Sequence, residues 1–188
     1  MVSLMSLWLP ILLSAVAAFF VSFLIHMVLK YHSSDFVGLP SEDAVMDSMG
    51  KANIPPGDYM MPHCGSGKNP MKDPAYQEKF KKGPVAVMTV MPAGEWAMGR
   101  SLVQWFILCV VVSIFSGYIA SRALGPGQTF ATVLRFVGTA AFMGYALGQI
   151  QNSIWYRRKW STTVKNVFDG LLYGVATGAV FAAMWPGA

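Results

Sequence analysis

The sequence predicts an all-α membrane protein: four transmembrane helices, with a small α+β extramembrane cap between the first two. Three observations predict it. Apolar residues make up 54% of the 188 positions and charged residues only 12%, where an average soluble domain carries roughly 25% charged residues. The charges cluster and leave long windows nearly free of them. Four such windows come close to or exceed the ~20 apolar residues that cross a bilayer as a helix.

The first run, Leu4 to Leu29, holds no charged residue and only His26 as a titratable group. Pro10 suits a first helical turn, where its missing N–H is not needed. A cleaved signal peptide is the competing reading. No Lys or Arg precedes the run, and it is about twice the length of a usual signal core. The second run, residues 101–121, lies between Arg100 and Arg122. The third, 130–150, follows the Gly125-Pro126-Gly127 turn, so runs two and three form a tight antiparallel hairpin. It carries one charge, Arg135, close enough to its start to snorkel to the interface. The fourth, 168–185, opens on Asp169 and ends before Pro186. Trp8, Tyr31, Trp105, Trp155, Tyr156 and Trp185 sit at or near run ends, as an aromatic belt requires.

Small residues recur at spacing four on every run: Ser14, Ala18 and Ser22; Ser113, Gly117 and Ser121; Ala140, Gly144 and Gly148; Gly170, Gly174 and Gly178. That spacing keeps side chains on nearly one face, and in lipid such faces let backbones approach. The rows predict a compact bundle or a self-associating surface, without separating the two.

The loop pattern gives an orientation. The segment 151–167 carries Arg157, Arg158, Lys159 and Lys165 and no acid. The positive-inside rule then places it and the loop 31–100 in the cytoplasm, with both termini outside. The formal charge of +5 is thereby explained by membrane orientation, and no nucleic-acid module is present. Expected partners are the lipid bilayer and either other copies of the chain or other membrane proteins.

Residues 31–100 read as a small folded cap. Ser41-Glu42-Asp43 looks like a helix start running toward Met49-Gly50. Asp73-Pro74 opens a second helix, stopped by Gly83. Val85 to Met91 is β-branched and apolar, a strand whose expected partner is Asp58 to Met61, after the Pro55-Pro56-Gly57 turn.

Two constellations bear on chemistry. Met60, Met61, His63 and Cys64 group soft ligands in five residues, a set that suits copper or zinc. The loop holds six further methionines, which also fit as flexible apolar filler, and no second Cys stands at metal-binding spacing. No resident cofactor is predicted beyond that copper or zinc alternative. His26, Asp169 and Arg135 are the ionisable residues of the spans, and such residues are functional candidates. Asp169 is positioned to accept a hydrogen bond from His26 or to pair with Arg158. Gly65-Ser66-Gly67-Lys68 lacks the upstream glycine and following hydroxyl of a phosphate-binding loop. No nucleophile–base arrangement stands out.

The stretches Ser6-Leu7-Trp8-Leu9-Pro10, Pro55-Pro56-Gly57-Asp58-Tyr59, Pro62-His63-Cys64 and Ser101-Leu102-Val103-Gln104-Trp105 resemble a group of uncharacterised bacterial multi-pass membrane proteins. Gln151-Asn152-Ser153-Ile154-Trp155 and Trp160-Ser161-Thr162-Thr163 are similar too. The resemblance implies a bacterial cytoplasmic-membrane protein and brings no activity or ligand with it. Abundant helix-packing signal beside absent catalytic signal makes the expected function a non-enzymatic accessory or structural subunit that packs through its small-residue faces, against itself or a larger complex. Metal handling at Met60 to Cys64 and a small oligomeric channel or transporter are the alternatives.

Overall fold

In a computed structural model that describes residues 1–95 and 97–187, the elements follow the chain as α1 (Leu4–Leu29), α2 (Glu42–Lys51), β1 (Gly57–Met61), α3 (Pro74–Lys82), β2 (Ala86–Val90), α4 (Met98–Ala123), α5 (Phe130–Tyr156) and α6 (Trp160–Ala183). They divide into two compact units, Gly38–Trp96 and the remainder. Helices α1, α4, α5 and α6 are each long and apolar enough to cross a membrane.

The larger unit buries what a water-soluble bundle would expose. The inner face of α1 carries Ser14, Ala15, Ala18 and Ser22, and that of α4 carries Ser113, Ser116, Gly117 and Ala120. Leu12, Val16, Phe20, Phe23, Val103, Ile107 and Phe115 face outward. Lipid tails are as apolar as leucine, so helices in a bilayer gain by packing small residues closely and leaving large ones to the hydrocarbon. Ser14 and Ser113 bond across α1 and α4 at 3.0 Å, so two buried hydroxyls satisfy each other. A larger apolar core of Leu7, Ile11, Val133, Val137 and Phe181 fills the end that holds both termini.

The glycine rows work inside the chain. A Cβ at Gly174 would lie 2.8 Å from the Gly138 carbonyl oxygen, and one at Gly178 would lie 2.8 Å from that of Leu134. At Gly170 it would meet Ala146 Cβ at 2.8 Å. The α6 row is therefore the seam against α5. Gly144 faces Val112 of α4, and Gly117 lies under the Phe181 ring. Gly148 is different: a Cβ there meets nothing within 4 Å, so it has no packing role in this chain.

Two boundaries differ from the sequence expectation. Helix α5 continues to Tyr156, and α6 begins at Trp160 rather than near 168. The expected 151–167 loop shrinks to residues 157–159. The polar stretch 162–169 stays helical because its polar groups find partners: Thr163 bonds Ser153 at 2.5 Å, and Lys165 and Asp169 are bonded to residues 31–35. The turn between α4 and α5 is held against the carboxyl-terminal segment by the Trp185 indole N–H to Gly125 oxygen at 2.9 Å and Gly127 N–H to Pro186 oxygen at 2.9 Å.

The smaller unit pairs β1 with β2 antiparallel, Tyr59 opposite Met88. Asp73 caps α3 by accepting from the Ala75 and Tyr76 N–H groups, and Pro74 fills the first helical position. Ser41 does not cap α2. Its backbone is left-handed, φ 54°, and its hydroxyl makes no cap bond. Met46, Met49 and Met91 line one groove of about 410 Å³ with Ile54 and Val90.

Candidate functional site

At the end of the bundle away from the termini, α1 stops being α-helical. Its last turn, Leu24–Leu29, is a π-helix closed by the Lys30 N–H to Ile25 oxygen bond at 3.2 Å. Lys30 then takes a left-handed backbone, φ 51°, and the chain folds back through Tyr31–Ser34, a short 3₁₀ turn. A second π segment, Met143–Leu147, interrupts α5. Both open on one cleft of about 370 Å³, lined by His26 and Tyr145 from these two segments together with Trp105, Gln149, Asp169 and Tyr173. π-Bulges re-aim side chains within a helix and are frequent at functional sites.

Asp169 anchors the cluster. It is buried, and a buried carboxylate is tolerated only with partners. Its Oδ1 accepts from the Tyr31 hydroxyl, and its Oδ2 lies 2.7 Å from His32 Nε2. His32 Nδ1 lies 2.6 Å from Asp35 Oδ2, so both ring nitrogens face carboxylates. Lys165, one helical turn before Asp169, bonds Asp35 Oδ1 at 2.8 Å, Ser34 Oγ at 2.9 Å and the Tyr31 carbonyl at 2.7 Å. Its three ammonium donors are thereby matched by three acceptors. Two carboxylates, an imidazole and an ammonium close a clasp between residues 31–35 and α6.

The environment tunes these groups. Burial, followed by the hydrogen bond to the Asp169 carboxylate, pushes the Tyr31 phenol well above its ordinary range, so it is a neutral donor. For Asp35, burial alone pushes the carboxyl up. The hydrogen bonds from Lys165 and His32 outweigh it and hold the group below its ordinary value.

His26 completes the group. Its ring stands 4.7 Å from that of His32, centroid to centroid. One ligand atom each from His26, His32 and Asp169 lie within 4.8 Å of one another. Trp105, Tyr145 and Tyr173 form an aromatic wall beside them, with ring centroids 5.5–6.0 Å apart. The Trp105 indole N–H has no acceptor among the described residues, which leaves the cleft a donor to offer.

The sequence expectations fare unevenly here. His26 and Asp169, singled out as ionisable span residues, do line one cleft, with Gln149 beside them. Asp169 takes Tyr31 and His32 as partners instead of His26 or Arg158, and Arg158 stacks over Phe36 at 6.0 Å. Lys165, expected in a loop, belongs to the clasp. Met60 and Met61 are successive strand residues on opposite faces of β1 and are 45% and 43% exposed. His63 Nδ1 accepts the Gly65 N–H, and Cys64 is a free thiol. Neither joins a group of three His, Cys, Asp or Glu ligands among the described residues. Arg135 stands on the outer surface of α5 and lines a different groove from this cluster. His32 and Asp35 escaped the sequence reading and Tyr31 entered it only as a run-end aromatic, although three titratable residues within five positions directly after a span are a usable signal.

Fold and cluster together define a class: a multi-pass membrane protein with an ionisable, aromatic-walled cleft at one end of its bundle. No family model, curated protein or solved structure matches the chain, so a role for the cleft has to come from its own chemistry.

Proposed function

We propose that the chain is a non-enzymatic membrane protein that binds a divalent transition-metal ion of zinc-like character through His26, His32 and Asp169. The observation that carries this is the convergence of two imidazoles and one buried carboxylate within 4.8 Å. Zinc–nitrogen and zinc–oxygen bonds of about 2.0–2.1 Å in tetrahedral geometry put ligand atoms roughly 3.3 Å apart. His32 Nε2 and Asp169 Oδ2 need only open from 2.7 Å, and the exposed His26 ring is free to swing in. Asp35 on His32 Nδ1 is the outer carboxylate that typically orients a metal-bound histidine. Nitrogen and carboxylate donors favour Zn²⁺ or a neighbouring divalent ion over Cu(I), which prefers thioether and thiolate.

A second reading has its own support. The direct His32–Asp169 contact and the Lys165–Asp35 ion pair suit a clasp whose role is structural. The two separate at His26, which contributes to the metal set but makes no hydrogen bond in the clasp among the described residues. Chelator-stripped protein in mild detergent, titrated with Zn²⁺ and counted by mass spectrometry of the metal, should take up about one ion per chain, three protein ligands leaving the usual fourth position open. At a hundredfold excess over Kd the ion should stabilise the fold by about 2.7 kcal/mol. His26→Ala should lose the ion and leave the metal-free melting temperature nearly unchanged. Equal zinc uptake by the native and His26→Ala proteins, or no thermal shift with zinc, leaves the clasp as the whole role.

For orientation, Lys30, Arg100, Arg157, Arg158 and Lys159 flank the spans at the clasp end, against Arg122 and Arg135 at the other. By the positive-inside rule this favours a cytoplasmic clasp end and both termini outside, in the bacterial cytoplasmic membrane that the resemblance implies. An impermeant thiol reagent applied to intact spheroplasts should therefore leave Cys64 unmodified until the cells are lysed. Labelling before lysis inverts the orientation.

A further inference from the structure

Arg135 is an exposed guanidinium on a membrane-spanning helix. From Trp96 through Phe168 the chain contains no Asp or Glu, and no ion pair among the described residues includes Arg135. A cation placed this way needs an anion from its surroundings. Two grooves flank it. One, about 710 Å³, runs along α4 and α5 past Ile119, Thr132, Phe136 and Met143. The other, about 230 Å³, runs along α5 and α6 past Phe142, Leu171 and Val175. Arg135 and Thr139 border both.

We propose that Arg135 and its two grooves form a binding site for one acidic diacyl phospholipid, the phosphate on the guanidinium and one acyl chain along each groove. Three features of the site fit this occupant. Arg135 lies five residues from the start of α5, roughly 8 Å at the helical rise, within the reach by which arginine snorkels to a headgroup. From Thr132 to Met143 the larger groove covers roughly 17 Å of helix, close to the ~15 Å of one leaflet's hydrocarbon. The lining is apolar apart from the arginine and two threonines, as acyl chains demand, while arginine matches a phosphate with two parallel bonds. Arg122, the nearby cation at the same end of the bundle, borders neither groove and lies over the Tyr118 ring at 6.0 Å.

Native mass spectrometry of the full chain in mild detergent tests this, with phosphatidylglycerol and phosphatidylcholine of identical acyl chains added in equal amounts. The unaltered protein should retain one phosphatidylglycerol in clear preference to phosphatidylcholine. Arg135→Gln should abolish the preference and Arg122→Gln should keep it. Thr139→Trp, which crowds the position that borders both grooves and leaves the arginine, should reduce retention of either lipid. All these positions are exposed, so the variants should stay folded, and a monodisperse elution profile checks that. Equal retention of the two lipids by the unaltered protein overturns the proposal. So does an equal loss in Arg122→Gln and Arg135→Gln, which marks general charge attraction at the bundle's surface.

Discussion

Gly178→Val should prevent the bundle from assembling. A Cβ at this position meets Leu134 oxygen at 2.8 Å, Gly138 nitrogen at 2.9 Å and Gly138 Cα at 3.0 Å. All three are backbone atoms of α5, so no rotamer change relieves the clash, and the two helices have to part. Overpacking a well-packed core typically costs 1–3 kcal/mol and occasionally more. Here a valine also strips close contacts from the length of the seam, which in lipid is the main source of helix association. The expected loss is at the top of that range, about 3 kcal/mol or beyond. It should appear as a lost cooperative unfolding transition and a polydisperse elution profile in detergent. Gly148→Ala is the matched control. A methyl group there meets nothing within 4 Å and the backbone is right-handed helical. It should therefore be neutral or stabilise by about 0.4–1 kcal/mol through the unfolded chain's lost freedom. If both substitutions prove equally harmful, the glycines matter for a surface outside this chain instead of for the α5–α6 seam.

Asp169→Ala should loosen residues 31–35 at their Tyr31 and His32 end. The carboxylate accepts from Tyr31 and His32, and the His32 and Asp169 side chains are 15% and 5% exposed. Removing the carboxylate takes the acceptor from the Tyr31 hydroxyl and from His32 Nε2, while His32 keeps Asp35 at 2.6 Å, so the cost is that of lost hydrogen bonds to a charged group, roughly 1.5–3 kcal/mol each. Asp35 and Lys165 stay in place but hold one end of a clasp whose other end is gone. Hydrogen exchange by mass spectrometry should show protection lost first at residues 30–36, with the α5–α6 seam unaffected. Lys165→Met, at a side chain 25% exposed, should loosen the same residues by less. An unchanged exchange pattern in Asp169→Ala would show that packing of Tyr31 and His32 alone orders the segment.

The membrane class and the number of spans were legible because they depend on local composition: a helix needs about twenty apolar residues to cross hydrocarbon, and each window supplies its own. The strand pair of the smaller unit was legible for a similar reason, since β-branched residues and flanking turns are neighbours in sequence. The start of α6 was not. Thr162, Thr163, Lys165 and Asn166 read as loop when counted alone, and the helix carries them because Ser153 satisfies the Thr163 hydroxyl and residues 31–35 satisfy the Lys165 ammonium. The cluster was half legible. His26 and Asp169 stood out as ionisable residues in apolar runs, whereas His32 and Asp35 looked like ordinary loop residues, 137 and 134 positions from Asp169.

By itself the sequence determined that this chain partitions into a bilayer, and that its helices carry faces small enough to pack closely. Only the tertiary structure decided that the α6 glycine row is spent against α5, that Gly148 packs against nothing, and that His26, His32 and Asp169 converge. Hydrophobic partitioning is a sum over nearby residues, so order in the chain suffices to read it. Convergence of side chains depends on which helix faces meet, and that follows from backbone approach at a few glycines far apart in the chain.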